Sequence, residues 1–260
     1  MKFTNILFEK SDHTVVITLN RPKNMNAISN GLLSDIESAL DNIESDETIR
    51  VVVITGGEKI FAAGADIKEI FCLSTPVEAH SLLFKIHRCF SRIEKLEIPV
   101  IAAINGFAFG EACELSLACD YRIASETAQF ALPEINLGLM PGAGGTQRLP
   151  RLIGMGRAFE MLFTGKSITA QRAWEIGLVN TVVAAEELMT ETMKTAKLFA
   201  SKPTFALKMI KKAVRTGMNT DLTSALEYEA RCFEILFSTQ DVKEGTTAFL
   251  EKRKPEFKGY

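Results

Sequence analysis

Apolar positions along the chain fall into two regimes. Up to about Gly145, short continuous apolar runs alternate with stretches of helical spacing, and beyond it the spacing is mostly helical. Ile6–Glu9 and Thr14–Leu19, separated by Ser-Asp-His, predict a β-hairpin. Ser29 is placed to cap a helix with Leu32, Leu33, Ile36 and Leu40 on its inner face. Val51–Thr55 and Val100–Ile104 are unbroken β-branched or small apolar runs, which predicts strands buried on both faces. Between them runs a long amphipathic helix, about Pro76 to Leu96, with Leu82, Leu83, Ile86 and Phe90 as its expected inner stripe. Cys113–Ala118 predicts a short helix and Tyr121–Ala124 a further strand. This strand–helix alternation implies parallel pairing with crossover helices outside.

From Leu137 the glycine density rises, in LGLMPGAGG. Helical patterns follow near Gly144–Ile153, Arg157–Phe163, Ala170–Ile176, Glu186–Ala200, Thr204–Thr216, Asp221–Phe237 and Val242–Lys252, with one strand at Val179–Val183. The expected division is an α/β core over 1–200 and a helical region over 201–260. No 20–50-residue repeat shows in the residues themselves.

Composition narrows the class. The chain has 260 residues, 47% hydrophobic and 24% charged, with a formal net charge of −2, the profile of a globular protein. That balance argues against nucleic acid as a partner of the whole molecule, and any attraction to an anion must be local. The longest runs without charge, Ile98–Gly110 and Ile135–Gln147, fall short of the about 20 residues that a spanning helix needs, so no membrane partner is expected. Glu9 and Lys10 interrupt any secretory apolar region, so the chain is expected to begin its mature life at Met1. Five cysteines without a C-x-x-C pair read as reduced thiols in a cytoplasmic setting.

Several motifs fail. Gly165-Lys166-Ser167 completes half a P-loop, but Glu160 stands where its first glycine belongs. Gly142 and Gly144 begin a dinucleotide fingerprint that ends on Gln147. His80 and His87 lie two helical turns apart, too far to share a metal, so all three histidines read as structural or surface residues and no metal site is expected.

Two carboxylates survive. Glu114 in GEACELSLACD and Glu134 in QFALPEINLG sit among apolar neighbours. An acid in such company is either paired with a distant cation or kept for proton transfer, because burying it unpaired is costly.

With their surroundings these residues are similar to a known family. FAAGADIKE at 61–69, AAINGFAFG at 102–110, CELSLACD at 113–120 and QFALPEINLGLMPGAGGTQRLPRLIG at 129–154, with NRPKNMNAI at 20–28 and TAFLEKRKPEFKG at 247–259, resemble the enoyl-CoA hydratase (crotonase) family over the whole chain and in order. The resemblance implies an α/β spiral of repeated ββα units, followed by a C-terminal helical region that makes oligomer contacts and closes the CoA site. It implies hydration of a 2-enoyl-CoA thioester. Glu114 would activate water, Glu134 would protonate C2, and the backbone N–H groups of Ala65 and Glu111 would form the oxyanion hole. Lys23, Ala63, Asp66, Ile67, Lys68, Gly110 and Gly142 would line the substrate and CoA site, and Phe249 and Lys252 would reach the CoA site of an adjacent subunit in a homotrimer or hexamer. No cofactor is implied, coenzyme A being part of the substrate.

One departure stands out. The family usually reads FGGGCE, and this chain reads FGEACE, with Glu111 and Ala112 in place of two glycines. The oxyanion donor at 111 is backbone, so it survives if the main chain there avoids a positive φ. The side chain matters more: Glu111 and Glu114 share a helical face, where a third carboxylate would raise its neighbours' pKa or, turned to solvent, do nothing. Alternatives are a double-bond isomerase, a specialised acyl-CoA hydratase, and an RNA-binding relative using the basic stripe Lys208, Lys211, Lys212 and Arg215.

Overall fold

A computed structural model describes residues 3–259. The chain divides into two compact units, one made of the residues up to Leu96 with Val100–Ala196, the other of Glu97–Pro99 with the residues from Lys197 on.

The first unit is organised by a six-stranded sheet of order β1-β2-β3-β4-β6-β9. Its strands are β1 (Ile6–Ser11), β2 (Thr14–Leu19), β3 (Val51–Thr55), β4 (Val100–Ile104), β6 (Tyr121–Ser125) and β9 (Thr181–Val183). β1 and β2 form the expected antiparallel hairpin, and the other pairs run parallel. All residues of β3 and β4 are buried, as their unbroken apolar runs require. The crossovers are helical: α1 (Asn30–Glu44), then α2 (Ile67–Phe71) with α3 (Pro76–Lys95), then α4 (Glu111–Ala118). Ser29 caps α1 by accepting the Leu32 N–H at 3.2 Å.

A second sheet escaped sequence reading. β5 (Phe107–Phe109), β7 (Gln129–Ala131) and β8 (Ile168–Thr169) form it, and a parallel bridge from Ala62 to Ala108 extends it. The strands are too short to show alternation. They nevertheless define the spiral: β4 is followed by β5 and α4, and β6 by β7 and a 3-10 turn at Pro133–Leu137. Each turn places one strand in each sheet before its helical segment. Helices α5 (Gly145–Ile153), α6 (Met155–Thr164) and α7 (Ala170–Glu175) follow, and α8 (Leu188–Ala200) leads out of the first unit.

Two expectations need correction. α3 buries Ile86, Cys89, Phe90 and Ile93, whereas Leu83 is 37% exposed and Leu82 half-buried. Only the C-terminal half of that helix packs on the core. α4 begins at Glu111 rather than Cys113, so Glu111 is its first residue.

The second unit contains α9 (Thr204–Gly217), α10 (Leu222–Leu236) and α11 (Gln240–Leu250). The basic stripe of α9 is engaged within it: Lys208 and Lys212 pair with Glu97, and the Lys211 Nζ donates to the Ile98 carbonyl. Leu222, Leu226 and Phe233 on α10, and Phe237 just after it, are exposed.

Candidate active site

Helix α4 carries two acids into the interior because nothing else about it is polar enough to keep it outside. All eight of its residues are buried, in the sequence EACELSLA. Its C-terminal end is held by the buried Arg122, which donates to the Ser116 and Cys119 carbonyls at 3.1 and 2.8 Å. Gly110 precedes the helix at φ 51, so the unusual backbone falls on glycine, and Glu111 needs no positive φ. A Cβ on Gly110 would lie 2.9 Å from Glu134 Oε1, which shows how closely Glu134 approaches this turn.

Glu114 is fixed by the glycine-rich loop. Its Oε1 accepts the N–H of Ala143 at 2.8 Å and of Gly145 at 2.7 Å. Arg148 braces that loop by donating to the Ala143 carbonyl at 3.0 Å while pairing with Glu94 at 2.7 Å. His87 on α3 donates from Nε2 to the Gly142 carbonyl at 2.5 Å. Sequence reading gave Arg148 no role and took His87 only as a structural or surface residue, since Glu94 and Gly142 lie more than 50 residues away from them.

Burial dominates the electrostatics. It pushes the Glu114 carboxyl up to about 7, with help from the Glu134 charge and against the Gly145 and Ala143 N–H bonds and the Arg148 charge. Glu134 is raised too, again by burial, while its own backbone N–H works the other way. Glu111, 6% exposed, points inward rather than to solvent. Burial and the charges of Glu114, Glu69 and Glu134 hold its carboxyl well above the usual range.

The two expected oxyanion donors are brought into register. Ala65 and Glu111 each lie three residues beyond the paired Ala62 and Ala108. A Cβ on Gly64 would meet the Phe109 carbonyl oxygen at 3.0 Å, so these two backbones run close together. Neither N–H has a hydrogen-bond acceptor among the described residues.

The segment from Arg21 to Ile28 is laced to this loop. Ala63 N–H donates to Met25 O at 3.0 Å, Ile28 N–H to Gly64 O at 2.8 Å, and Asp66 N–H to Ile28 O at 2.8 Å. Asp66 also pairs with Arg21 at 3.0 Å and caps α2 through the Lys68 N–H. Its carboxylate is therefore spent on structure, while Lys23, Ile67 and Lys68 are exposed. Gly142 lies in the loop that holds Glu114, under the side chain of Leu83. Phe249, 83% exposed, and Lys252 belong to the second unit. An apolar cavity of about 510 Å³, lined in part by Ile135, Leu139, Met140, Phe159 and Phe163, contains none of the three acids in its wall. Among the described residues there is no cluster suited to a metal ion and no helix long and apolar enough to cross a membrane.

Comparison with known proteins bears on this geometry. Residues 9–260 match the family model described as enoyl-CoA hydratase/isomerase. The chain is 47% identical over 258 residues to the crotonyl-CoA hydratase of Syntrophomonas wolfei, with 99% of each covered. It is 45% identical over 257 residues to the short-chain-enoyl-CoA hydratase of Clostridium acetobutylicum, with 98% of each covered. The crystal structure of the enoyl-CoA hydratase from Bacillus anthracis superposes with a TM-score of 0.95 at 43% identity, covering 99% of this chain and 100% of that one. The spiral of ββα turns and the full-length matches agree, and the chain belongs to the enoyl-CoA hydratase/isomerase family.

Proposed function

We propose that this chain is an enoyl-CoA hydratase that adds water across the C2=C3 bond of a short 2-enoyl-CoA thioester. The observation that carries the reading is a buried Glu114 and a half-buried Glu134 near two backbone N–H groups without acceptors among the described residues, at Ala65 and Glu111. Hydration needs both pairs. A water oxygen bonds to C3 as Glu114 takes its proton, and the π electrons move to give an enolate on the thioester oxygen. Glu134 then supplies the proton to C2. The two N–H groups face the developing oxyanion, the second at the positive end of α4. The chain's own carboxyls and amides suffice for these steps, with coenzyme A entering as part of the substrate.

Lys23 and Lys68 supply the local positive charge that a net −2 protein needs for the CoA phosphates. The exposed apolar side chains of α10 favour assembly into a trimer or hexamer, in which Phe249 and Lys252 reach a neighbour's CoA. Five free cysteines suit a reducing, cytoplasmic setting. The second reading, a double-bond isomerase, is less favoured because an isomerase can work with one carboxylate and this site has more.

Hydration of crotonyl-CoA by Glu114→Gln and Glu134→Gln variants tests the assignment. Each is expected to lose about 10²–10⁴ in turnover while folding normally. Full activity in either variant removes that residue's role.

A further inference from the structure

Only two buried side-chain oxygens lack a hydrogen-bond partner among the described residues, Glu111 Oε1 and Glu134 Oε2. They belong to one cluster, in which the charge of Glu134 reaches Glu111. Buried polar groups elsewhere are paired. Asn26 donates to the carbonyls of Gly56 and Phe61, Thr192 to Leu188 O, and Asp241 accepts from Lys258 and Gly259. The unmet demand for hydrogen bonds is therefore concentrated where a substrate has to react.

The groups facing Glu111 are all acids or a neutral thiol. Glu114 lies on its own helix, Glu134 on the 3-10 turn and Glu69 on α2. Cys89 approaches from α3 with its thiol proton firmly held by burial. No cation among the described residues neutralises it, and Glu69 is already committed to the Asn30 N–H and side chain at 3.0 and 2.8 Å. Burial beside other acids, with no cation to pair with, favours the protonated form of that carboxyl.

Glu111 Oε1 makes no hydrogen bond within the fold. The backbone at 111 is ordinary helix, and an apolar side chain of similar length would occupy the same space without the cost of drying a carboxyl. We propose that Glu111 is a third proton-bearing member of the site, its neutral carboxyl donating a hydrogen bond to the oxygen that Glu114 and Glu134 handle. That oxygen is water in the forward direction and the 3-hydroxyl in reverse. The identity of the oxygen rests on the two-glutamate reading above; the protonated state does not.

Three variants and one spectrum decide the matter. Glu111→Met is expected to raise the unfolding midpoint and to lower kcat for crotonyl-CoA by about tenfold or more, the worth of one strong hydrogen bond. Glu111→Gln, which keeps a neutral donor, is expected to regain most of that loss. In the free protein at about pH 8.5, above the Glu114 range, the infrared band of a protonated carboxyl is expected in wild type and in Glu134→Gln and to be missing in Glu111→Gln. Wild-type turnover in Glu111→Met, equal impairment of the Met and Gln variants, or an unchanged band in Glu111→Gln would each overturn the proposal. The infrared result needs no turnover, so it stands apart from any failure of the Glu114 and Glu134 assignments.

Discussion

His87 and Glu114 hold opposite ends of one peptide unit. The carbonyl of Gly142 accepts from His87 Nε2 at 2.5 Å, and the N–H of the same peptide, at Ala143, donates to Glu114 Oε1 at 2.8 Å. The peptide cannot rotate to release one partner without losing the other. His87 thereby acts as a positioning residue for the proposed base. His87→Ala is expected to lower kcat/KM by about tenfold, roughly the worth of one hydrogen bond. Because the N–H bonds lower the Glu114 pKa, loosening one raises it, so the acid limb of the pH profile should move to higher pH. His87→Gln, which can still donate to the carbonyl, should restore both. A profile that does not move in His87→Ala would reduce the contact to packing.

The pH dependence of the wild type follows from the same carboxyl. As the proposed base, Glu114 has to be ionised to accept a proton from water, and burial pushes its carboxyl up to about 7. As pH falls through that value the base is progressively protonated, so kcat/KM should decline on the acid side with a midpoint near 7. Glu134 is also raised, and its charge acts on Glu114, so the measured limb reflects both acids. A rate that stays flat down to about pH 5, near the ordinary carboxylate range, would show that neither acid is the base.

Glu114 and Glu134 were legible in the sequence because an acid flanked by Cys113, Leu115, Ile135 and Leu137 is conspicuous, and because their surrounding motifs carry a family resemblance over the full chain. The orientation of Glu111 was not. At the first turn of a helix, one residue can face water or the interior, and that choice is made by α3 packing across α4, a contact that local spacing does not encode. The same limit explains Leu83. Periodicity marks it as one face of α3, but the face that meets the core begins only at Ile86, and Leu83 lies instead against Gly142. His87 and the Arg148–Glu94 pair join segments more than 50 residues apart, with no signal in either segment alone.

Charge recognition makes a separate prediction. Lys23 and Lys68 are exposed on segments tied together by the Arg21–Asp66 pair and three backbone hydrogen bonds. Isolated surface lysines contribute little to folding, so their replacement leaves the protein intact. The double change Lys23→Ala with Lys68→Ala should raise KM for crotonyl-CoA severalfold at low salt, with the difference shrinking as ionic strength rises. Crotonyl-pantetheine lacks the nucleotide phosphates, and its KM should not respond. An equal rise for both substrates would mean that the lysines act on the acyl or pantetheine part instead.

The second unit presents large apolar side chains that its own helices leave uncovered, Phe233 at 61% exposure and Leu222 at 74% among them. Single exposed leucines are ordinary, but Leu222, Leu226 and Phe233 on one helix, with Phe237 at its end, are the kind of surface that another protein covers. Within a symmetric assembly the natural partner is a second copy of the chain. Phe233→Glu places a charge on that surface, which an interface would have to dry at considerable cost. Sedimentation should therefore show wild type as a trimer or hexamer and the variant shifted towards monomer, with no change in far-ultraviolet circular dichroism. If Phe249 and Lys252 serve a neighbour's CoA, dissociation should also raise KM for crotonyl-CoA, and higher protein concentration should recover it. An assembly that Phe233→Glu leaves intact would move the interface off this face of α10. A variant that dissociates yet keeps its KM would show that each subunit binds CoA with its own residues alone.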